Sequence, residues 1–175
     1  MRSTVVAVLL LALASSTFAL QCKIAKNFPL YNQCDSRWGS DVLGSSSTIC
    51  KVGCLMSSLA SALAGIGKGI KGQTPNPQNL NAFLKANGGY QGNLFVWGAA
   101  EAPFSLAFEG WPESASSIKN AICANKIVIL NVNRGGHWVL ATGANDSGYT
   151  VNDSGYDKNF YANSEVVCAG VYRQK

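Results

Sequence analysis

Thr48-Ile-Cys-Lys-Val-Gly-Cys-Leu-Met-Ser-Ser-Leu-Ala-Ser-Ala-Leu63 decides how this chain is read. The spacing predicts a loop that enters a helix at Gly53-Cys54, with small and apolar residues running to Ala64 and Gly65 and Gly67 as the stop. A thiol at the start of a helix faces unpaired backbone N–H groups and the positive end of the helix dipole. Both favour the thiolate, the form that attacks carbonyl carbons. Gly53 has no Cβ, so a substrate backbone is expected to approach the sulfur closely. The competing reading of Cys54 is a buried small hydrophobe or half of a disulfide.

Downstream, a glycine-rich connection over 65–74 leads to a second helix at 77–86, started by Pro75 and Pro77 and ended by Gly88-Gly89. Leu80, Phe83 and Leu84 share one face of it. Residues 90–113 are aromatic-rich and resist assignment. A third helix is expected at 114–124, capped near Ser114 and turning Ile118 and Ile122 inward. The period then changes. Residues 126–133 are a β-branched run and read as a buried strand. Residues 137–143 and 149–152 are two more strands joined by the turn Asn145-Asp-Ser-Gly148, and 165–172 a last one. Upstream, Pro29 disfavours helix at Phe28, and 31–48 is a polar, structured loop. Helices first and an antiparallel meander after give an α+β fold in one domain, with the N-terminal helices packed on the sheet.

The chain has 175 residues, 47% hydrophobic and only 13% charged, so its surface rests largely on Ser, Asn, Gly and Gln, as in exported proteins. The net charge of +5 comes from scattered Lys and Arg. This gives neither a nucleic-acid patch nor a polybasic membrane tether. Residues 1–19 read as a signal peptide: Arg2, an apolar run from Val5 to Ala14, and the small-x-small site Thr17-Phe-Ala19. That run is too short to span a bilayer. The expected mature chain, 20–175, is soluble and secreted, or held in a secretory compartment. The six cysteines then invite disulfides. Cys34 with Cys50 is the preferred bridge, because it ties the first loop to the helix start. Cys22, Cys123 and Cys168 compete for another.

His137 is the one histidine of the chain, and it opens a strand behind Gly135-Gly136. Asp153 ends the next strand of the expected hairpin, beside the start of the His137 strand. A carboxylate there fixes the imidazole tautomer and leaves the other ring nitrogen for a thiol. In isolation, the same Asp153 reads as a turn residue. Together, Cys54, His137 and Asp153 make a nucleophile, base and orienter set.

This order, a helix-borne Cys followed by a sheet-borne His and Asp, resembles papain-like cysteine peptidases. The pattern Tyr31-Asn-Gln33, Trp38-Gly39, Leu43-Gly44, Thr48-Ile49, Gly53-Cys54, Gly136-His137-Trp-Val and Val151-Asn-Asp153 resembles the peptidase-like domains related to bacteriocin-leader-processing (double-glycine leader) peptidases. The segment from Pro77 to Tyr90 resembles extracellular members of that group. The resemblance covers about residues 30–173. It implies a papain-like fold, with Cys54 as nucleophile, His137 as general base and acid, and Asp153 as orienter. It makes Gln33 a donor to the oxyanion beside the Cys54 N–H. Family members often carry Asp-Pro where this chain has Asp153-Ser154. Cys50, four residues before Cys54, would silence the thiol if the two were bridged.

The function expected is a secreted cysteine peptidase or amidase acting on a peptide or protein. The alternatives are a secreted structural or binding protein on a peptidase-like scaffold, and an acyltransferase using the same residues. A single histidine leaves no Cys/His set with zinc spacing, and no glycine-rich strand-to-helix turn offers phosphate binding, so neither metal nor cofactor is expected. Asn145 and Asn152 sit in glycosylation sequons expected to be unused. Trp97, Trp111 and Trp138 read as core and cleft wall, with a glycan or peptide platform as the other possibility.

Overall fold

Residues 21–175 are described by a computed structural model, and the expected signal peptide at 1–19 lies outside the described residues. A short strand, β1 (Cys22–Lys23), leads into the polar loop before the first helical turn. That turn, α1 (Ile49–Val52), is separate from α2 (Cys54–Gly65), with Gly53 at the break. The expected single start is therefore a one-turn helix, a corner and a second helix. The second expected helix is α3 (Pro77–Ala86), where Asn76 and Asn79 form a reciprocal capping box and Pro77 takes the first turn.

Residues 90–113 hold five small elements: β2 (Tyr90–Gln91), β3 (Leu94–Phe95), a 3-10 turn (Trp97–Ala100), α4 (Glu101–Phe104) and β4 (Leu106–Gly110). Each is too short for a period to register in sequence. Then come α5 (Ala115–Cys123), with Ser114 accepting from the Ser117 N–H, and β5 (Ile127–Val132), buried at every position. The chain closes with β6 (His137–Ala144), β7 (Gly148–Asn152), β8 (Phe160–Ala162) and β9 (Val166–Gln174).

The protein is thus α+β, with a seven-stranded sheet in the order β4-β9-β5-β6-β7-β8 and β1 joined to β6. All its pairings are antiparallel. Only β5, β6 and β7 follow the expected meander, and β8, which was not expected, extends it on the far edge. β9 returns to pair with β5 on its other edge, and β4 closes that side. The reason is the apolar character of β5: a strand with both faces covered is stable only with both edges paired as well.

α2 packs on β6 through a nearly continuous set of buried residues, Met56 to Leu63, three of them serines. Small side chains let the helix approach the sheet closely, and their hydroxyls still need partners. Ser58 donates to the Trp138 carbonyl at 3.3 Å, and Ser61 donates to the Pro29 carbonyl. At Gly170, any Cβ would run into the Trp97 indole, so the glycine admits that ring onto β9.

The bridges are Cys34–Cys50, as expected, and Cys22–Cys123, which ties β1 to the end of α5. Cys54 and Cys168 are free. No described helix is long and apolar enough to cross a membrane.

Thiol counting on the unfolded, unreduced protein should therefore find two reactive cysteines, Cys54 and Cys168. Removing the bridge that spans 101 residues, as Cys22→Ala with Cys123→Ala, should lower the unfolding free energy in denaturant titrations by about 2–5 kcal/mol.

Candidate active site

Gly53 sets where the sulfur sits. A Cβ there would lie 2.5 Å from the Ile49 carbonyl oxygen and 2.7 Å from Ile49 Cγ2. Its glycine is thus required by the corner between α1 and α2, a packing reason separate from the substrate approach expected of it. The corner places Cys54 at the first position of α2, where backbone N–H groups have no acceptor within the helix. The Ser58 bond to Trp138 fixes this end of the helix against the opening residues of β6.

His137 is the first residue of β6 and is buried. It follows a left-handed turn in which Asn133, Arg134 and Gly135 have φ of 52°, 56° and 94°. Such backbone is uncommon outside glycine. The buried Asn131 stabilises it from β5, donating to the Gly135 carbonyl at 3.2 Å and the His137 carbonyl at 3.5 Å. The ring then has little freedom. Its Nε2 lies 2.6 Å from Asp153 Oδ1. Cys54 is the other side chain close enough to the ring to act on its protonation. Burial pushes the imidazole toward its neutral form, but the Asp153 hydrogen bond and the nearby Asp153 and Cys54 groups outweigh it and raise its pKa to about 9.

Asp153 lies just past β7, with a fully enclosed side chain. Besides His137, its Oδ1 accepts the Gly155 N–H at 2.9 Å and the Tyr156 N–H at 3.0 Å. Its Oδ2 accepts the buried Tyr161 hydroxyl at 2.8 Å. Burial alone would favour the neutral acid; these donors, led by His137, reverse that and hold the carboxyl below its usual range. Burial, reinforced by Asp153, pushes the Tyr161 phenol far up, so it remains a donor. Tyr156 stands edge-on to the imidazole, ring centroids 4.9 Å apart, with its side chain largely in solvent.

Gln33 is bound on three sides. Its N–H donates to the Ser154 carbonyl at 2.8 Å, and Nε2 donates to the Cys50 carbonyl at 2.7 Å. Oε1 accepts from the Ser154 hydroxyl at 3.3 Å, and that hydroxyl also lies 3.5 Å from the Cys54 carbonyl. One of the two amide hydrogens is committed to Cys50, so one remains to donate. Gly155 fits between the two groups: a Cβ there would meet His137 Cε1 at 2.9 Å and Gln33 Oε1 at 3.2 Å. The Cys34–Cys50 bridge holds the Gln33 loop against the turn that precedes Cys54.

All four sequence-predicted residues, Cys54, His137, Asp153 and Gln33, therefore converge. Tyr161, Ser154, Gly155 and Tyr156 complete the site and were not foreseen. Ser154, at the position where the peptidases that this sequence resembles often have proline, uses its buried hydroxyl and its carbonyl to link the Gln33 and Cys54 segments. Asn152 donates to the Phe28 carbonyl at 2.9 Å, so the amide of that sequon is engaged inside the protein.

Beside Cys54 opens a cavity of about 210 Å³, walled by Leu43, Met56, Phe95 and Trp138. Leu94, 74% exposed, and Val52, 41% exposed, form its rim. Apolar walls with an apolar rim suit an apolar side chain. The other free thiol, Cys168, is pushed up by burial and by Glu113, which disfavours its thiolate.

Comparison with protein-family models, with curated proteins and with solved structures finds no match for this chain.

The raised His137 pKa fixes a pH window. Stability from its imidazolium is complete below the ordinary value of 6.5 and is lost as pH rises through about 9. Wild-type unfolding free energy should fall across that interval, and Asp153→Asn should flatten the slope. In the same variant, NMR titration should show the His137 pKa moving down from about 9.

Proposed function

We propose that this protein is a secreted cysteine peptidase or amidase with a papain-like arrangement of helix and sheet. One observation carries the reading: a free Cys54 at the start of a helix lies beside His137, whose Nε2 is held by the buried Asp153. The feared Cys50–Cys54 bridge does not exist, since Cys50 pairs with Cys34.

The chemistry follows from these positions. The Cys54 sulfur, as thiolate paired with the His137 imidazolium, attacks the carbonyl carbon of an amide. The electron pair of the C=O moves onto oxygen, where the remaining Gln33 Nε2 hydrogen and the Cys54 N–H receive it. Such a donor is worth about 3 kcal/mol of barrier. As the intermediate collapses, the C–N bond breaks and the imidazolium gives its proton to the leaving nitrogen. A thioester on Cys54 remains. Neutral His137 then takes a proton from water, and the oxygen attacks the thioester. The acid product leaves, and thiolate and imidazolium are restored. Asp153 stays ionised throughout, orienting the ring. The cavity at Trp138 seats an apolar side chain next to the scissile bond.

Treatment with an alkylating electrophile should label Cys54 in the folded, unreduced protein and leave Cys168 largely untouched. An unlabelled Cys54 in folded protein would remove the reading. Against a library of amide substrates, hydrolysis should vanish in Cys54→Ala and fall roughly 100-fold or more in Gln33→Ala. Because the imidazolium is the acid, kcat/KM should decline as pH rises through about 9. In the same library, substrates with Leu or Phe beside the cleaved bond should exceed those with Asp, and Leu94→Asp should erase that preference.

A further inference from the structure

A second concavity, about 480 Å³, lies between β4 and α5. Trp111 forms one wall; Ser117 and Asn120 of α5 and the pair Glu109–Lys126 complete it. None of these residues belongs to the thiol site. We propose that this groove binds a neutral saccharide, with the Trp111 indole as the platform for a sugar ring.

Three observations converge on that ligand. First, Trp111 is 47% exposed yet rigidly held. Its ring centroid lies 4.6 Å from Trp97, 5.0 Å from Phe108 and 6.1 Å from Trp138. A large indole kept in solvent by an ordered aromatic layer offers a π-face, which is negative and attracts the C–H face of a pyranose. Second, the polar groups around it are of mixed kind. Asn120 supplies an exposed amide with both donor and acceptor, and Ser117 a hydroxyl, which suits the paired donor–acceptor character of sugar hydroxyls.

Third, the charges of the groove are already neutralised. Lys126 Nζ lies 2.6 Å from Glu109 Oε2, and Arg173 Nε lies 3.2 Å from Glu109 Oε1. A phosphate or carboxylate ligand would have to compete with Glu109 for both cations. A wholly apolar ligand would bury that ion pair with no hydrogen bonds in return, which is costly. A neutral molecule with an apolar face and hydroxyl edges meets neither obstacle, and charged donors and acceptors make its strongest hydrogen bonds.

The groove also communicates with the thiol cleft through shared side chains. Trp138, in contact with Trp97 and Trp111, is a wall of the cavity at Cys54. The saccharide proposal stands whether or not Cys54 hydrolyses amides.

The test titrates the full mature chain with tetrasaccharides of glucose, of N-acetylglucosamine and of xylose, read by tryptophan fluorescence and by calorimetry. At least one should bind saturably. Asn120→Ala, an exposed change that leaves the aromatic layer intact, should weaken that binding about tenfold, the loss of one or two hydrogen bonds. Trp111→Ala should abolish it, with circular dichroism confirming the fold. Labelling of Cys54 by the electrophile should be unchanged in both variants, which separates this site from the thiol site. No binding by any of the three sugars, or binding of wild-type strength in both variants, overturns the proposal.

Discussion

The hydrogen bond between His137 and Asp153 is the constraint on which the rest of the structure depends. A carboxylate removed from water is costly unless each lone pair finds a donor. Asp153 finds four, from the imidazole, two consecutive backbone N–H groups and the Tyr161 hydroxyl. Those donors come from β6, the turn after β7, and β8. Satisfying one buried charge therefore demands that three strands and a turn adopt one arrangement. A slip in the β6–β7 register would move Asp153 to the other face of the sheet and leave both partners buried and unpaired.

The thiol reaches this pair by a different physical route. α2 presents small side chains to β6, so its axis can lie close to the sheet, and serine hydroxyls anchor it to backbone carbonyls. The corner at Gly53 and the Cys34–Cys50 bridge then fix the turn before Cys54 and the loop bearing Gln33. Ser154 joins the two halves, since its carbonyl and hydroxyl both meet Gln33. A helix, a sheet and a covalently tied loop hold these side chains in fixed relation. The two free cysteines make the same point by contrast. Cys54 faces an imidazole held protonated to about pH 9, whereas Cys168 faces burial and a carboxylate.

The aromatic residues do more than fill the core. Trp97 lies at their centre, packed on Trp111, Trp138, Phe108 and Tyr172, with Gly170 making room beneath it. Its Trp138 edge walls the cavity beside the thiol, and its Trp111 edge walls the groove at α5. An ordered layer with two such edges holds the cavity and the groove in fixed relation without a hinge between them.

Much of this was legible in the sequence because it depends on local pattern. Pro75, Pro77 and Gly88-Gly89 bound α3, and the β-branched run at 126–133 read as a buried strand. Cys54, His137 and Asp153 stood out because a lone histidine opening a strand, a cysteine opening a helix and an aspartate ending a strand each sit at an element boundary; Gln33 was indicated only by the resemblance to cysteine peptidases. Residues 90–113 were illegible because elements of two to five residues carry no measurable period. Tyr161 gave no signal, since an aromatic residue in a short strand reads as core until the carboxylate beneath its hydroxyl is seen. By itself, then, the sequence determined the principal helices, the central strands, and which side chains have the chemistry to react. Tertiary structure alone decided that β9 folds back beside β5, that Cys22 finds Cys123 and leaves Cys168 free, and that Gly53 serves a corner. Those outcomes depend on which surfaces remain to be covered once the first layers have packed, and such long-range competition is not written in any local run of residues.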